Sequence, residues 1–295
     1  MTDVRVHLVD ATFELFRAYF SRPAERAPDG RPVNAIRGVL ESMLSLLREP
    51  EVTHVAAATD HVIRSWRNEV YPGYKTEAGV PQELLDQFDL AERALAALGM
   101  VVWPMVEHEA DDAIATAVAR WADSPDVEQI VVCSVDKDLS QLVRGTKVVL
   151  QDRMRKVTYD EDGVIAKFGV PPPTIPDYLA LVGDSADGYP GLPGWGSKSA
   201  AAVLAHYGSI DAVPARASEW EVPVRSAPRL AAALTQQRAD ALLFRRLAVL
   251  RTDSPITETL ADLEWRGARP EFGGLCEELG LNRVRQLVHR WQEAA

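Results

Sequence analysis

The 295-residue chain is 47% hydrophobic and 25% charged, an ordinary globular composition with length enough for one large domain or two modest ones. Its two cysteines, Cys133 and Cys276, fit neither a disulfide framework nor a zinc pattern, which suits a reducing cytoplasm. The net charge of −11 excludes a uniformly basic nucleic-acid binder, and neither a signal-peptide start nor an apolar run of bilayer length is found.

The first ~185 residues alternate between strand and helix patterns. Val4 to Asp10 reads as a strand, Phe13 to Phe20 as an amphipathic turn or helix, and Ala35 to Arg48 as a helix. His54 to Asp60 is a buried strand, Pro81 to Leu98 a helix, Met100 to Pro104 a strand and Asp111 to Trp121 a helix. Gln129 to Asp136 and Lys147 to Asp152 are further strands. Such alternation implies βαβ units, hence an α/β fold with a parallel sheet flanked by helices. Functional crevices in these sheets lie beyond the carboxyl ends of the strands. Asp10, Asp60 and Asp136 each close a strand-like run, so they are expected at one sheet edge.

Past Asp187 the character changes. Pro190 to Ser209 is a turn-rich hairpin entering an alanine-rich helix that stops at Gly208, and two or three more helices lead to Arg251. This stretch, from Gly188, carries eight lysines and arginines against four acids. A basic part beside an acidic remainder suits phosphates on one side and metals on the other. Residues 252–295 read as closing helices without chemistry.

Nine carboxylates form five islands: Asp10, Asp60, the group Glu109/Asp111/Asp112, the pair Asp136/Asp138 and the pair Asp184/Asp187. Any one alone would be a helix cap or a turn residue. Three acids in four positions exceed what a cap needs, and their mutual repulsion calls for a counter-ion. No histidine or cysteine joins them at ligand spacing, and oxygen-only donors favour Mg²⁺ or Mn²⁺. Two such ions about 4 Å apart activate water and stabilise the leaving oxygen of a phosphodiester. In LPGWGSK (Leu192 to Lys198), Gly194 and Gly196 let backbone N–H groups approach a phosphate, the helix starting near Ser197 points its positive end there, and Lys198 adds charge. The plain alternative is an ordinary turn with Lys198 in solvent. Trp195 reads equally as a base-stacking or a packed side chain.

In order along the chain, LVD followed by Arg17, SWRNEVYPGYK, EADD, VDKDLSQL, GDSAD and PGLPGWGSKSA resemble the motifs of bacterial and phage 5′ nucleases, including the 5′-nuclease domain of DNA polymerase I and flap endonucleases. The resemblance spans Val4 to Arg251. It implies a PIN-like α/β domain (1–187) with an arch near 64–82, a helix-three-turn-helix DNA-binding region (188–251) and closing helices (252–295). Asp10, Asp60, Glu109 and Asp111 then belong to a first metal. Asp136, Asp138 and Asp187 belong to a second, with Asp111 between, and Asp112 and Asp184 are auxiliary. Lys75 matches a catalytic lysine, Arg67 a basic position that holds phosphate, and Phe16 a base-stacking position that lacks the usual hydroxyl. The family uses two or three Mg²⁺ or Mn²⁺ ions and binds K⁺ at the helical hairpin. Expected partners are DNA 5′ ends, flaps and junctions, with no membrane. The implied protein is a cytoplasmic monomer, a stand-alone 5′-3′ exonuclease and flap endonuclease of replication and repair, and no motif supports a polymerase or ligase partner. A PIN-type ribonuclease and a non-catalytic junction binder are the rival readings. Besides Phe16, two departures stand out: Glu77 in the arch weakens the expected grip on a 5′ phosphate, and Gly188-Tyr189 replaces the more usual Asn-Leu or Asn-Ile.

Overall fold

The computed structural model describes residues 4–293. The chain opens with β1 (Val4–Asp10), α1 (Ala11–Ser21), α2 (Asn34–Leu46) and β2 (His54–Asp60). Next come α3 (Trp66–Val70), α4 (Gln82–Leu85), α5 (Phe88–Ala97), β3 (Val101–Met105), α6 (Ala110–Trp121) and β4 (Val127–Cys133). Then follow β5 (Val148–Asp152), β6 (Val157–Tyr159), α7 (Glu161–Phe168), α8 (Ile175–Val182), α9 (Ser197–Tyr207), α10 (Ala227–Gln236) and α11 (Arg238–Ala248). The last are α12 (Glu271–Glu278) and α13 (Asn282–Gln286). Two compact units result: Met1–Ser65 with Glu77–Ser134 and Thr252–Ala295, and Trp66–Thr76 with Val135–Arg251.

In the first unit four strands run parallel in the order β3-β2-β1-β4. Their apolar runs are buried because helices cover both faces. Ala56, Ala57 and Ala58 are fully buried, and such small side chains let flanking helices approach closely. Registers Asp10↔Ala58 and Asp60↔Met105 set the two acids at the carboxyl ends of adjacent strands, as their position in the apolar runs implies. Residues beyond 252 pack on the same unit: Trp265 N donates to the Thr53 carbonyl at 3.0 Å, and Trp103 Nε1 donates to Glu258 at 2.8 Å.

Two expectations change here. The helix read over Pro81 to Leu98 is broken into α4 and α5 at Asp86 and Gln87, and the Gln87 side chain serves another element. Its fully buried amide oxygen accepts from Ala35 N and Ile36 N at 2.9 and 3.3 Å, meeting orphan donors at the start of α2. The strand read over Gln129 to Asp136 ends at Cys133, so Asp136 stands on the following loop.

In the second unit β5 and β6 pair antiparallel, with Leu150 opposite Tyr159. The buried helix α8 anchors the rest. Asp177 on α8 accepts from Ile210 N at 2.9 Å and from Arg245 of α11 at 3.2 Å.

Candidate functional site

The acids of the first unit are held by hydrogen bonds from the ends of the strands. Asp10 accepts from Phe13 N at 2.9 Å, capping α1, and from the Ser134 hydroxyl at 2.9 Å. Asp60 accepts from Ala110 N at 2.7 Å, at the start of α6, while its own N–H donates to Thr12 at 2.7 Å. Glu109, 3% exposed, stands at the N-cap of α6 and accepts from the Ser65 hydroxyl. Its N–H donates to Asp112 at 3.2 Å. Asp112 is therefore in part the capping residue that the plain reading of EADD describes, and it is fully buried. Asp111 is half-buried on the same first turn. The helix end favours negative charge here.

The second unit holds the other four acids. Asp138, 4% exposed, starts a 3₁₀ turn (Asp138–Leu142), and its N–H donates to Asp136 at 3.0 Å. Gln141 fastens that turn, donating to the Ala248 carbonyl at 2.9 Å and accepting from Leu250 N at 3.2 Å. Burial, then the charges of Asp187, Asp136 and Asp184, hold the Asp138 carboxyl well above the ordinary carboxylate range. Asp184, 4% exposed, pairs with Lys137. The bare Lys137 ammonium would lose affinity for its proton through burial, but Asp184, Asp136 and Asp138 raise it overall. Lys75 is doubly tied to Asp187. Its N–H donates to the Asp187 carbonyl at 3.0 Å, and its Nζ lies 3.3 Å from the Asp187 carboxylate.

The turn after Asp187 requires its glycine. Gly188 has φ +86°, and a Cβ there would lie 2.4 Å from the Gly73 carbonyl oxygen. Asp184 and Tyr189 then exchange backbone hydrogen bonds of 2.9 and 3.1 Å. The Tyr189 phenol is 1% exposed, and burial followed by Asp138 and the other three acids pushes its proton affinity up.

These observations test whether a cation fits. Asp138 Oδ1 is buried without a protein hydrogen-bond partner among the described residues. A crowded set of carboxylates with an unmet acceptor suits a hard divalent ion with oxygen ligands, and the donor set fits.

Arg67, expected to hold phosphate, lies inside the protein. It is 1% exposed; Nε donates to the Leu247 carbonyl at 2.8 Å and Nη2 to that of Val249 at 3.4 Å, with the guanidinium 4.7 Å from the Trp66 ring. It is a strut joining α3 to the end of α11, and its charge opposes the upward shift at Asp138. Phe16 is half-buried, with its ring 6.1 Å from Phe88 and 6.5 Å from the exposed Phe20. Glu77 is not a bare acid, since Arg64 lies 3.2 Å away and lowers its carboxyl after its own backbone hydrogen bond.

In the hairpin, Gly194 has φ +84°, and a Cβ there would meet Arg229 at 2.7 Å. Space is open beside Gly196, the N-cap of α9. Together with Ser197, Lys198, Arg225 and Arg229 they line one concavity. Trp195 is packed: it is 5% exposed, donates to the Leu230 carbonyl at 3.2 Å and lies 6.0 Å from Trp220.

Ser65 and Ser134 stand at the edges of motifs that assign them no role, and Thr12 is a residue without a signal in the sequence. Another is His61, whose Nδ1 is 2.9 Å from Glu92 and 3.7 Å from Asp89. About thirty residues separate that imidazole from its acids, so spacing carries no information.

Comparison with known proteins agrees with the motif resemblance. Residues 5–169 match the 5′-3′ exonuclease N-terminal resolvase-like domain, and residues 170–271 match the 5′-3′ exonuclease C-terminal SAM fold. The 5′-3′ exonuclease of Aquifex aeolicus is 31% identical over 284 residues, covering 96% of this chain and 93% of its own length. DNA polymerase I of Pseudomonas aeruginosa is 35% identical over 262 residues and 86% of this chain, which spans only 28% of the polymerase. The fold is shared with T5 5′-exonuclease in a zinc-bound structure (TM-score 0.66, 15% identity, 96% of each chain). It is also shared with flap endonuclease-1 of Methanococcus jannaschii (TM-score 0.59, 16% identity, 97% and 91% covered). With both domain models matched in tandem and a relative similar over nearly its whole length, the chain belongs to the 5′-3′ exonuclease family.

Proposed function

We propose that the chain is a 5′ nuclease that hydrolyses DNA phosphodiesters at 5′ ends and flaps with Mg²⁺ or Mn²⁺, as a cytoplasmic monomer. The observation that carries this reading is the second-unit acid set: four carboxylates, one of them buried with an unmet oxygen, beside a lysine tied to Asp187. Asp136, Asp138 and Asp187 are the metal-holding residues of that set, and Asp184 assists them. Asp10, Asp60, Glu109 and Asp111 are the corresponding donors of the first unit, and Asp112 orients Glu109. When bound, the cations supply Lewis-acid stabilisation of the scissile phosphate.

The remaining roles fall to this chain's own groups. Lys75, with its side chain one-quarter exposed, keeps an ammonium available to the phosphate oxygens where charge develops. Phe16 offers an aromatic face to a base near the cut. Gly194, Gly196, Ser197 and Lys198 grip the duplex backbone through N–H groups and charge, without base readout, and the hairpin carbonyls hold K⁺. Residues 188–251 thus act as the DNA-binding region, residues 1–187 as the nuclease domain with its arch near 64–82, and residues 252–295 close the fold.

The test is cleavage of matched DNA and RNA substrates with labelled 5′ flaps, with Mn²⁺ and with EDTA. Metal-dependent cutting of DNA is expected. Asp136→Asn and Asp187→Asn should abolish it with DNA binding retained, and Lys75→Ala should slow it by ~10²–10³-fold. Preferential cutting of RNA would replace the reading with a ribonuclease. Unimpaired turnover in both aspartate variants would remove the metal assignment.

A further inference from the structure

We propose that Ser254, in the closing segment of the chain, is a positioning residue for the first-unit cation: it grips α6 on both sides of the turn that carries Glu109, Asp111 and Asp112 and so holds those donors in place. The inference rests on the metal-holding role of Glu109 and Asp111 given above, and it gives a segment that reads as having no chemistry a part in the site.

The grip has two limbs. The Ser254 hydroxyl shares a hydrogen bond of 2.7 Å with Nδ1 of His108, the residue immediately before Glu109. The Ser254 N–H donates to Thr116 Oγ1 at 3.0 Å, and the Thr116 hydroxyl in turn donates to the Asp112 carbonyl at 2.8 Å. Thr116 serves both partners because a hydroxyl accepts and donates at once. Ser254 is thus bonded just ahead of the acid turn and, through Thr116, to the backbone of its last acid. Ser254, His108 and Thr116 are all buried, so breaking either limb leaves a polar group unmet away from water. Ser254 is itself fixed, since its carbonyl accepts from Ile256 N at 2.8 Å.

The acid turn has reason to need this support. Carboxylates crowded into one helical turn repel one another until a cation arrives. Two restraints on the start of α6 come from the acids themselves: Asp112 accepts from Glu109 N at 3.2 Å, and Asp60 accepts from Ala110 N at 2.7 Å. A cation draws on carboxylate oxygens of the same set. The bonds of Ser254 use no carboxylate, so they hold the turn whether or not a cation is bound. Groups that orient ligands in this way change metal affinity without touching the ion.

The experiment uses the whole chain without DNA, titrated with Mn²⁺ in a calorimeter, with thermal unfolding of the metal-free protein measured beside it. Ser254→Ala removes the hydroxyl limb, and Thr116→Val removes the other limb at nearly constant shape, should the first variant fold poorly. Both should weaken Mn²⁺ binding at one site by ~10-fold. His108→Phe should do the same, and Ser254→Ala added to it should give no further loss, since the two delete one bond. Trp103→Phe is the structural control: it breaks the bond to Glu258 of the same closing segment, and should lower Tm with Mn²⁺ affinity unchanged. Mn²⁺ affinity equal to the parent's in Ser254→Ala and Thr116→Val, with Asp111→Asn impaired, would overturn the proposal and leave Ser254 a support of the fold alone. A loss of affinity in Trp103→Phe as large as in Ser254→Ala would overturn it too, as would a further loss in the double variant. Undiminished affinity in Asp111→Asn would instead overturn the metal-holding reading on which the proposal stands.

Discussion

Replacing Arg67 with methionine decides between a strut and a phosphate-holding residue. The methionine keeps much of the buried stem and deletes the guanidinium. That leaves the Leu247 carbonyl, now accepting at 2.8 Å, without this donor, and the weaker hydrogen bond to Val249 at 3.4 Å disappears too. An unmet buried acceptor is destabilising by ~1–3 kcal/mol, and removing the cation from the Trp66 face adds ~0.5–2 kcal/mol. Removing the charge also strips Asp138 of a cation that opposes its upward shift. Together these give a loss of ~3 kcal/mol, which lowers Tm by ~6–12 °C for a chain of this size. Scanning fluorimetry and urea denaturation measure it. Arg67→Lys should fall between, since an ammonium keeps the charge without the fork that reaches two carbonyls. A Tm unchanged in Arg67→Met, with cleavage abolished, would refute the strut and return Arg67 to the phosphate.

Two other outcomes follow from the same geometry. Asp138 has its proton affinity raised in the fold, so its contribution to stability is complete below the ordinary carboxylate pKa and is lost as pH rises through the folded value. Metal-free Asp138→Asn should therefore melt above the parent near neutral pH and show no advantage in acid, with Mn²⁺ closing the gap; a lower Tm at neutral pH would contradict this. Lys198→Ala and Arg229→Ala should each weaken duplex binding on all sequences alike and reduce the salt slope of log Kd by ~0.9 for each phosphate that is no longer neutralised. Fluorescence anisotropy across a KCl series reads that slope, and slopes equal to the parent's would remove the hairpin from the backbone grip.

How much of this is legible in sequence differs by residue. Asp10 and Asp60 terminate apolar runs, and such runs become strands wherever burial is two-sided, so their places at the sheet edge can be read directly. Asp136 reads as a strand end because Ser134 and Val135 extend the apolar pattern after hydrogen bonding has stopped. Arg67 sits on a helix of five residues, too short for periodicity to reveal which side faces inward. Gln87 has helical neighbours and helical propensity, so neither the interruption beside it nor its bond to α2 can be read from local pattern. Glu77 and Arg64 are thirteen residues apart, and their pairing depends on a loop path that local chemistry does not dictate. The Gly188-Tyr189 pair is visible as a departure from the motif. Only the structure shows that its phenol points into the protein.

The segment Trp66–Thr76 belongs to the second unit, while the chain on either side of it belongs to the first. The excursion carries both Arg67, which braces the end of α11, and Lys75, which is bonded to Asp187. A cassette cut at 135 and 251 would therefore arrive without its own brace and without the lysine paired to Asp187, however well the cut points avoided secondary structure. Shuffling this half between relatives has to move two separate stretches of gene at once. Natural recombination at single crossovers is thereby penalised, and the two stretches are expected to change together or not at all.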